Sequence, residues 1–139
     1  MILPYWPQLI VDAFIKKNCK YLAIKRVKNV EVGTWEVPGG RVKFGEKVED
    51  ALIREIKEET GLKIKIKKFL GYGQGLKCPH ENGTTRHRFI LYFECEVISG
   101  KLKLDEYEAK EYRWITWDEF KKLKPLSIPI KNFFNHFGR

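Results

Sequence analysis

Three glutamates, Glu55, Glu58 and Glu59, fall within residues 47–60, a stretch without glycine or proline. Spacings of three and four residues put side chains on one helix face. At about 100° per residue, Glu59 lies about 40° from Glu55 and Glu58 about 60° to its other side, so the three share an arc of roughly 100°. Like charges that close repel, and divalent cations relieve the repulsion. Carboxylate oxygens are what magnesium prefers, and that ion keeps several waters and takes further ligands from substrate phosphates, so few protein ligands are expected. The competing reading is a solvated helix whose glutamates pair with Arg54 and Lys57 for about a few tenths of a kcal/mol each. The turn Pro38-Gly39-Gly40, the Arg54-Glu55 pair and the closing Gly61 favour the metal site.

The surrounding residues 40–62 read as a glycine (Gly40), five residues, Glu46, seven residues, then Arg54-Glu55-Ile56-Lys57-Glu58-Glu59-Thr60-Gly61-Leu62. This resembles the Nudix box at all nine of its constrained positions, and the preceding Trp35-Glu36-Val37-Pro38-Gly39 resembles the approach to it. The resemblance implies a Nudix-type α/β/α sandwich with a mixed β-sheet and a pyrophosphohydrolase acting on phosphoanhydride bonds. It also implies that Glu55, Glu58 and Glu59 hold one to three magnesium or manganese ions, helped by the backbone carbonyl of Gly39 or Gly40. Arg54 would orient a glutamate through a charge-assisted hydrogen bond, and Glu46 would be a supporting acid. The general base in such families is a box glutamate, here Glu58 or Glu55, or a carboxylate on a distant loop. Residues 99–110 offer Asp105, Glu106 and Glu108, of which Glu108 is favoured as an additional ligand or base.

Substrate contacts are expected from Arg26, Arg86 and Arg88, which suit a non-reacting phosphate or a sugar, and from Trp35 and Phe89 as stacking surfaces for a base. Aromatic residues are more often core than ligand contact, and that reading stands beside the functional one. The intact Arg54-Glu55 pair separates the chain from enzymes acting on GDP-mannose, whose box is modified, and favours attack at phosphorus. The substrate implied is a nucleoside diphosphate linked to another group, of the ADP-ribose or nucleotide-sugar type. The alternatives are a MutT-like hydrolase that sanitises nucleoside triphosphates and a nucleotide-binding module without catalysis.

Positioning these groups requires strands before and after the helix. Residues 9–15 and 21–24 alternate as a hairpin around a turn at Lys17-Asn18, and residues 32–37 read as a short strand. After the helix, 62–70 reads as a strand, 71–83 as a glycine-rich loop and 88–98 as a second long strand. Residues 112–116 form a short strand, Thr116 or Asp118 starts a helix running toward Pro125, and 128–137 forms a terminal helix. Mixed strands with interspersed helices predict a layered α+β sandwich, expected as a single domain over 1–139.

Composition fits this reading. The chain has 27 basic and 18 acidic residues, a net of +9; residues 46–59 carry six acids and three bases, leaving 24 bases and 12 acids elsewhere. A concentrated acidic patch in a basic body suits a metal site that receives a polyphosphate, with a small nucleotide as partner and nucleic acid disfavoured. No apolar run is long enough to span a membrane. Three scattered cysteines fit free thiols in a reducing, cytoplasmic compartment, and Cys78-Pro79-His80 lacks the second ligand pair a zinc site needs. The apolar start, residues 1–7, suits covering a sheet edge or meeting a second copy in a homodimer.

Overall fold

A computed structural model describes residues 6–107 and 109–137. Strands β1 (Gln8–Lys17) and β2 (Lys20–Arg26) form the antiparallel hairpin. Asn18 and Cys19, at φ 51° and 64°, close it one residue later than the sequence suggests. Two left-handed residues give the turn whose twist matches its strands. Strand β6 (Thr85–Ser99) runs parallel to β1 along the other edge, and β5 (Lys63–Pro79) pairs antiparallel with β6. The short β3 (Trp35–Glu36) and β7 (Ala109–Ile115) both pair with β2, and β4 (Gly39–Arg41) pairs with β1. The sheet is therefore mixed.

Alternation along β1 sends Ile10 and Phe14 to one side and Val11, Ala13 and Ile15 to the other. Helix α1 (Val48–Thr60) covers the second side with Ala51, Leu52 and Ile56. Helices α2 (Trp117–Lys122) and α3 (Ile128–Phe137) cover the first with Phe120, Ile130, Phe133 and Phe134. Six aromatic rings lie with centroids 5.0–5.9 Å from that of Phe14. The result is an α+β, α/β/α sandwich. Helix α1 stops at Gly61, whose φ of 75° turns the chain and lets its N–H reach the Lys57 carbonyl. Thr116 starts α2 with a reciprocal capping box to Glu119.

Two expectations need correction. The strand over 32–37 shrinks to Trp35–Glu36, because Asn29, Glu31 and Gly33 take φ of 68°, 51° and 87° and coil the preceding backbone. The loop over 71–83 is largely strand: β5 continues to Pro79, paired from Tyr72 opposite Leu91 to Pro79 opposite Thr85 through several bulges. Its glycines mark close packing. A side chain on Gly73 would run into the Pro129 carbonyl, and one on Gly71 would meet the Phe137 ring at 2.7 Å. Helix α3 thus rests directly on the β5 backbone. Replacing Gly73→Ala forces that helix outward, and about 1–3 kcal/mol of stability should be lost, read as a lower urea midpoint with an unchanged slope.

Candidate active site

The pairing of β1 opens the site. One edge of β1 meets β2 at Lys16 and Lys17 but meets β4 at Ile10–Asp12, so β2 and β4 diverge along it. A cavity of about 510 Å³ occupies the divergence, with Glu55, Glu59, Gly39 and Gly40 on one side and Arg26, Arg86 and His80 among its other walls.

Helix α1 approaches β4 too closely for a side chain to intervene. A Cβ at Gly40 would fall on the Glu55 carboxylate, and the Gly39 N–H donates to Glu59 Oε2 at 3.1 Å. Arg54 sets the remaining acids. Its Nε and Nη2 donate to the two oxygens of Glu46 at 2.9 Å each, its Nη1 to Glu55 at 2.7 Å and to Glu58 at 3.4 Å. Its Nη2 also reaches the Arg41 carbonyl at 3.3 Å, which ties helix to strand. The Arg54 guanidinium pulls the Glu46 carboxyl down to about 2. Glu58 is the most exposed of the Arg54 partners, with its side chain 58% exposed against 18% for Glu46 and Glu55. Among the described residues no three acids, histidines or cysteines converge as a ready ion cage. The reason is visible in the partners: Arg54 draws Glu55 and Glu58, while Gly39 draws Glu59.

The donor set nevertheless fits a hard divalent cation. It consists of carboxylate oxygens beside a bare glycine backbone, and the buried Oδ2 of Asp12, which lines the same cavity, makes no hydrogen bond. Burial pushes the Asp12 carboxyl well above its ordinary pKa, and the neighbouring Glu36 charge adds to this. An ion held by few protein oxygens and several waters suits such a site.

The expected substrate residues separate into groups. Arg26 and Arg86 line the cavity. Arg86 is held by the Thr84 hydroxyl and, at 3.2 Å, the Thr85 carbonyl. Arg88 also lines it but is buried in ion pairs with Glu31 at 2.7 Å and Glu36 at 3.3 Å. Arg26 shares Glu36 at 2.7 Å and donates to the Val30 carbonyl at 2.6 Å. Trp35 does not line the cavity: it is buried in the core on the α2 and α3 side, with the Arg113 guanidinium 4.7 Å from its ring. Phe89 lies one position from Arg88 on β6, where alternation turns it away, and it stacks on Tyr72 at 5.3 Å. Neither stacking role suits these two placements. Glu108 lies outside the described residues.

Sequence reasoning passed over Asp12, Glu31 and Glu36, all buried. An acid inside the apolar run of β1 was the available signal for Asp12, because unpaired acids are rarely fully buried. Glu36 resists protonation: burial raises its pKa, but Arg88 and Arg26 overcome that and bring it to about 2. Glu31 is raised by burial, and its carboxylate also accepts the Ile128 N–H at 2.6 Å at the start of α3.

Residues 6–137 match the NUDIX domain family, and the chain belongs to that family, whose members are pyrophosphohydrolases that generally use divalent metal ions. It is 41% identical over 118 residues to an ADP-ribose pyrophosphatase of Methanocaldococcus jannaschii, covering 84% of this chain and 66% of that protein. About a third of that relative thus has no counterpart here. It is 31% identical over 127 residues to an 8-oxo-dGTP diphosphatase of Buchnera aphidicola, covering 91% of this chain and 88% of the relative. The crystal structure of the MutT protein of Methanosarcina mazei Go1 shares the fold at a TM-score of 0.79 and 24% identity, over 98% of this chain and 96% of that one. No helix among the described residues is long and apolar enough to cross a membrane.

The Arg26–Glu36–Arg88 network makes a pH prediction. A carboxylate whose folded pKa is depressed contributes stability above its unfolded pKa and loses it as pH falls through the folded one. Glu36→Gln should cost about 3–5 kcal/mol near neutrality. The gap to the natural protein should narrow as pH falls from 4.5 toward about 2. Urea unfolding at several pH values checks this, and a gap independent of pH would contradict it.

Proposed function

We propose that the chain hydrolyses a nucleoside diphosphate linked to a sugar, of the ADP-ribose or nucleotide-sugar type, with magnesium or manganese, by attack of water at phosphorus. The observation that carries this reading is the placement of Glu55, Glu59 and the Gly39-Gly40 backbone on one wall of the cavity, with Arg26 and Arg86 on others. The 41% identical relative that bears the name ADP-ribose pyrophosphatase supports the substrate class.

Glu55, Glu58 and Glu59 with the Gly40 carbonyl would hold the ion. When bound it supplies charge neutralisation of the diphosphate and a lowered pKa for the attacking water. Arg54 is the positioning residue, since its contacts to Glu46, Glu55 and Glu58 fix where those carboxylates stand. Glu58, the most exposed of its partners, would act as the general base on the attacking water. Glu108, on the segment before β7, is the second candidate for general base. Arg26 and Arg86 would face the phosphates, and Arg88 supports Arg26 through their shared partner Glu36. The products are a nucleoside monophosphate and a sugar phosphate. Free, unbridged cysteines suit the cytoplasm as the place where this occurs.

The 31% identical relative named as an 8-oxo-dGTP diphosphatase favours a second reading, cleavage of nucleoside triphosphates to monophosphate and pyrophosphate. A magnesium-dependent panel of ADP-ribose, sugar nucleotides, and normal and oxidised triphosphates separates the two by product. The first reading expects AMP plus ribose phosphate from ADP-ribose at a higher kcat/KM than any triphosphate gives. Glu58→Gln should lower kcat by about 10²–10⁴ without changing the melting temperature. Normal turnover by that folded variant would contradict the assignment.

A further inference from the structure

Two walls of the cavity are built on loops that hold each other. The tip of the β5–β6 hairpin, residues 80–84, meets the loop at 29–31. The Glu31 N–H donates to the Pro79 carbonyl at 2.7 Å, the Glu81 N–H to the Asn29 carbonyl at 2.8 Å, and the Asn29 N–H to the Glu81 carboxylate at 2.8 Å. Asn29 and Glu81 thus bond each other in both directions, and Val30 pairs with His80 beside them. The left-handed φ of 68° at Asn29 and 51° at Glu31 coils the loop into this contact. The first two bonds join backbone to backbone, and the third belongs to the side chain of Glu81.

Each loop also holds one of the arginines that line the cavity. The Arg26 Nε donates to the Val30 carbonyl at 2.6 Å, and the Gly33 N–H returns to the Arg26 carbonyl at 2.8 Å. On the other side the Arg86 guanidinium donates to the Thr84 hydroxyl, and the Thr84 N–H donates to the Asn82 side chain at 3.0 Å. Each guanidinium is bonded to its own loop, so the contact between the loops governs where the two stand relative to each other. The acid in that contact runs against the charge of the site. Glu81 is exposed and adjoins His80 and Asn29, which line the same cavity. A carboxylate there repels a phosphate. Its charge-assisted bond to the Asn29 N–H is the opposing contribution.

We infer that Glu81 is a positioning residue for phosphate binding: by latching the 80–84 tip to the 29–31 loop it fixes the span between Arg86 and Arg26. The inference rests on the proposed reading of those two arginines as the phosphate contacts. A span matters to a ligand that touches both guanidiniums, so a diphosphate depends on the latch and a lone phosphate does not. The direction of the effect separates the latch from simple electrostatics. Loss of a nearby carboxylate charge by itself raises anion affinity, whereas loss of the latch lowers it.

Binding measured without turnover tests it. Calorimetric titration in EDTA compares ADP with AMP on the natural protein, on Glu81→Ala, on Glu81→Gln and on Arg86→Gln. Glu81→Ala should weaken ADP about fivefold and leave AMP within about twofold of its natural affinity. Glu81→Gln removes the same charge but keeps an oxygen that accepts the Asn29 N–H, and it should restore ADP affinity. Arg86→Gln should weaken ADP. Equal weakening of ADP and AMP by Glu81→Ala would overturn the inference, as would a glutamine variant as weak as the alanine one. ADP affinity unchanged by Arg86→Gln would overturn the phosphate reading and the latch with it. A loss in Arg86→Gln beside natural or tighter ADP binding in Glu81→Ala would overturn the latch alone.

Discussion

The close approach of helix α1 to β4 is the constraint on which the site depends. Because Gly40 has no side chain, the Glu55 carboxylate can lie against the strand backbone, and because Gly39 keeps its N–H turned to the helix, Glu59 has a fixed partner. Arg54 then closes the arrangement from the other side, bonded to Glu46, Glu55, Glu58 and the Arg41 carbonyl at once. A single guanidinium thereby holds three acids that would otherwise repel one another. Such charge-assisted bonds are stronger than neutral ones, and the planar fork fixes direction as well as distance.

Behind this wall lies a second electrostatic layer that no substrate needs to touch. Arg88, Glu36, Arg26 and Glu31 form a chain of buried ion pairs linking β6, β3, β2 and the start of α3. Buried pairs are costly to assemble and costlier to break, so they specify geometry more than they add stability. Here the geometry specified is the path of residues 35–40, which must leave β2 and cross to β1 for the cavity to exist. The same chain engages Arg26 and Arg88, two of the arginines that line the cavity, with Glu36 and Glu31.

What was legible in the sequence follows from the range of the interactions. The box residues encode a helix of 13 residues whose acids share a face, a relation set by spacing alone, and the hairpin and terminal helix are equally local. Residues 71–79 look like a loop in sequence because their glycines answer to α3, a partner more than fifty residues away, and not to local backbone freedom. Arg26, Arg86 and Arg88 look alike in sequence, and only the fold shows that Arg88 is neutralised by Glu31 and Glu36. Trp35 and Phe89 failed as stacking candidates for a related reason: residue type gives no information on which side of a strand faces the cavity. Asp12 was the one buried group that left a trace, an acid within an apolar strand.

The central claim is that this arrangement directs water to phosphorus in a sugar-linked nucleoside diphosphate. Hydrolysis of ADP-ribose by the natural protein with magnesium in heavy-oxygen water, with the products weighed by mass spectrometry, tests it most directly. The account predicts AMP and ribose phosphate, with one heavy oxygen on a phosphate of one product and none on the sugar carbons. Label at a sugar carbon, or no magnesium-dependent cleavage of the diphosphate, would contradict it.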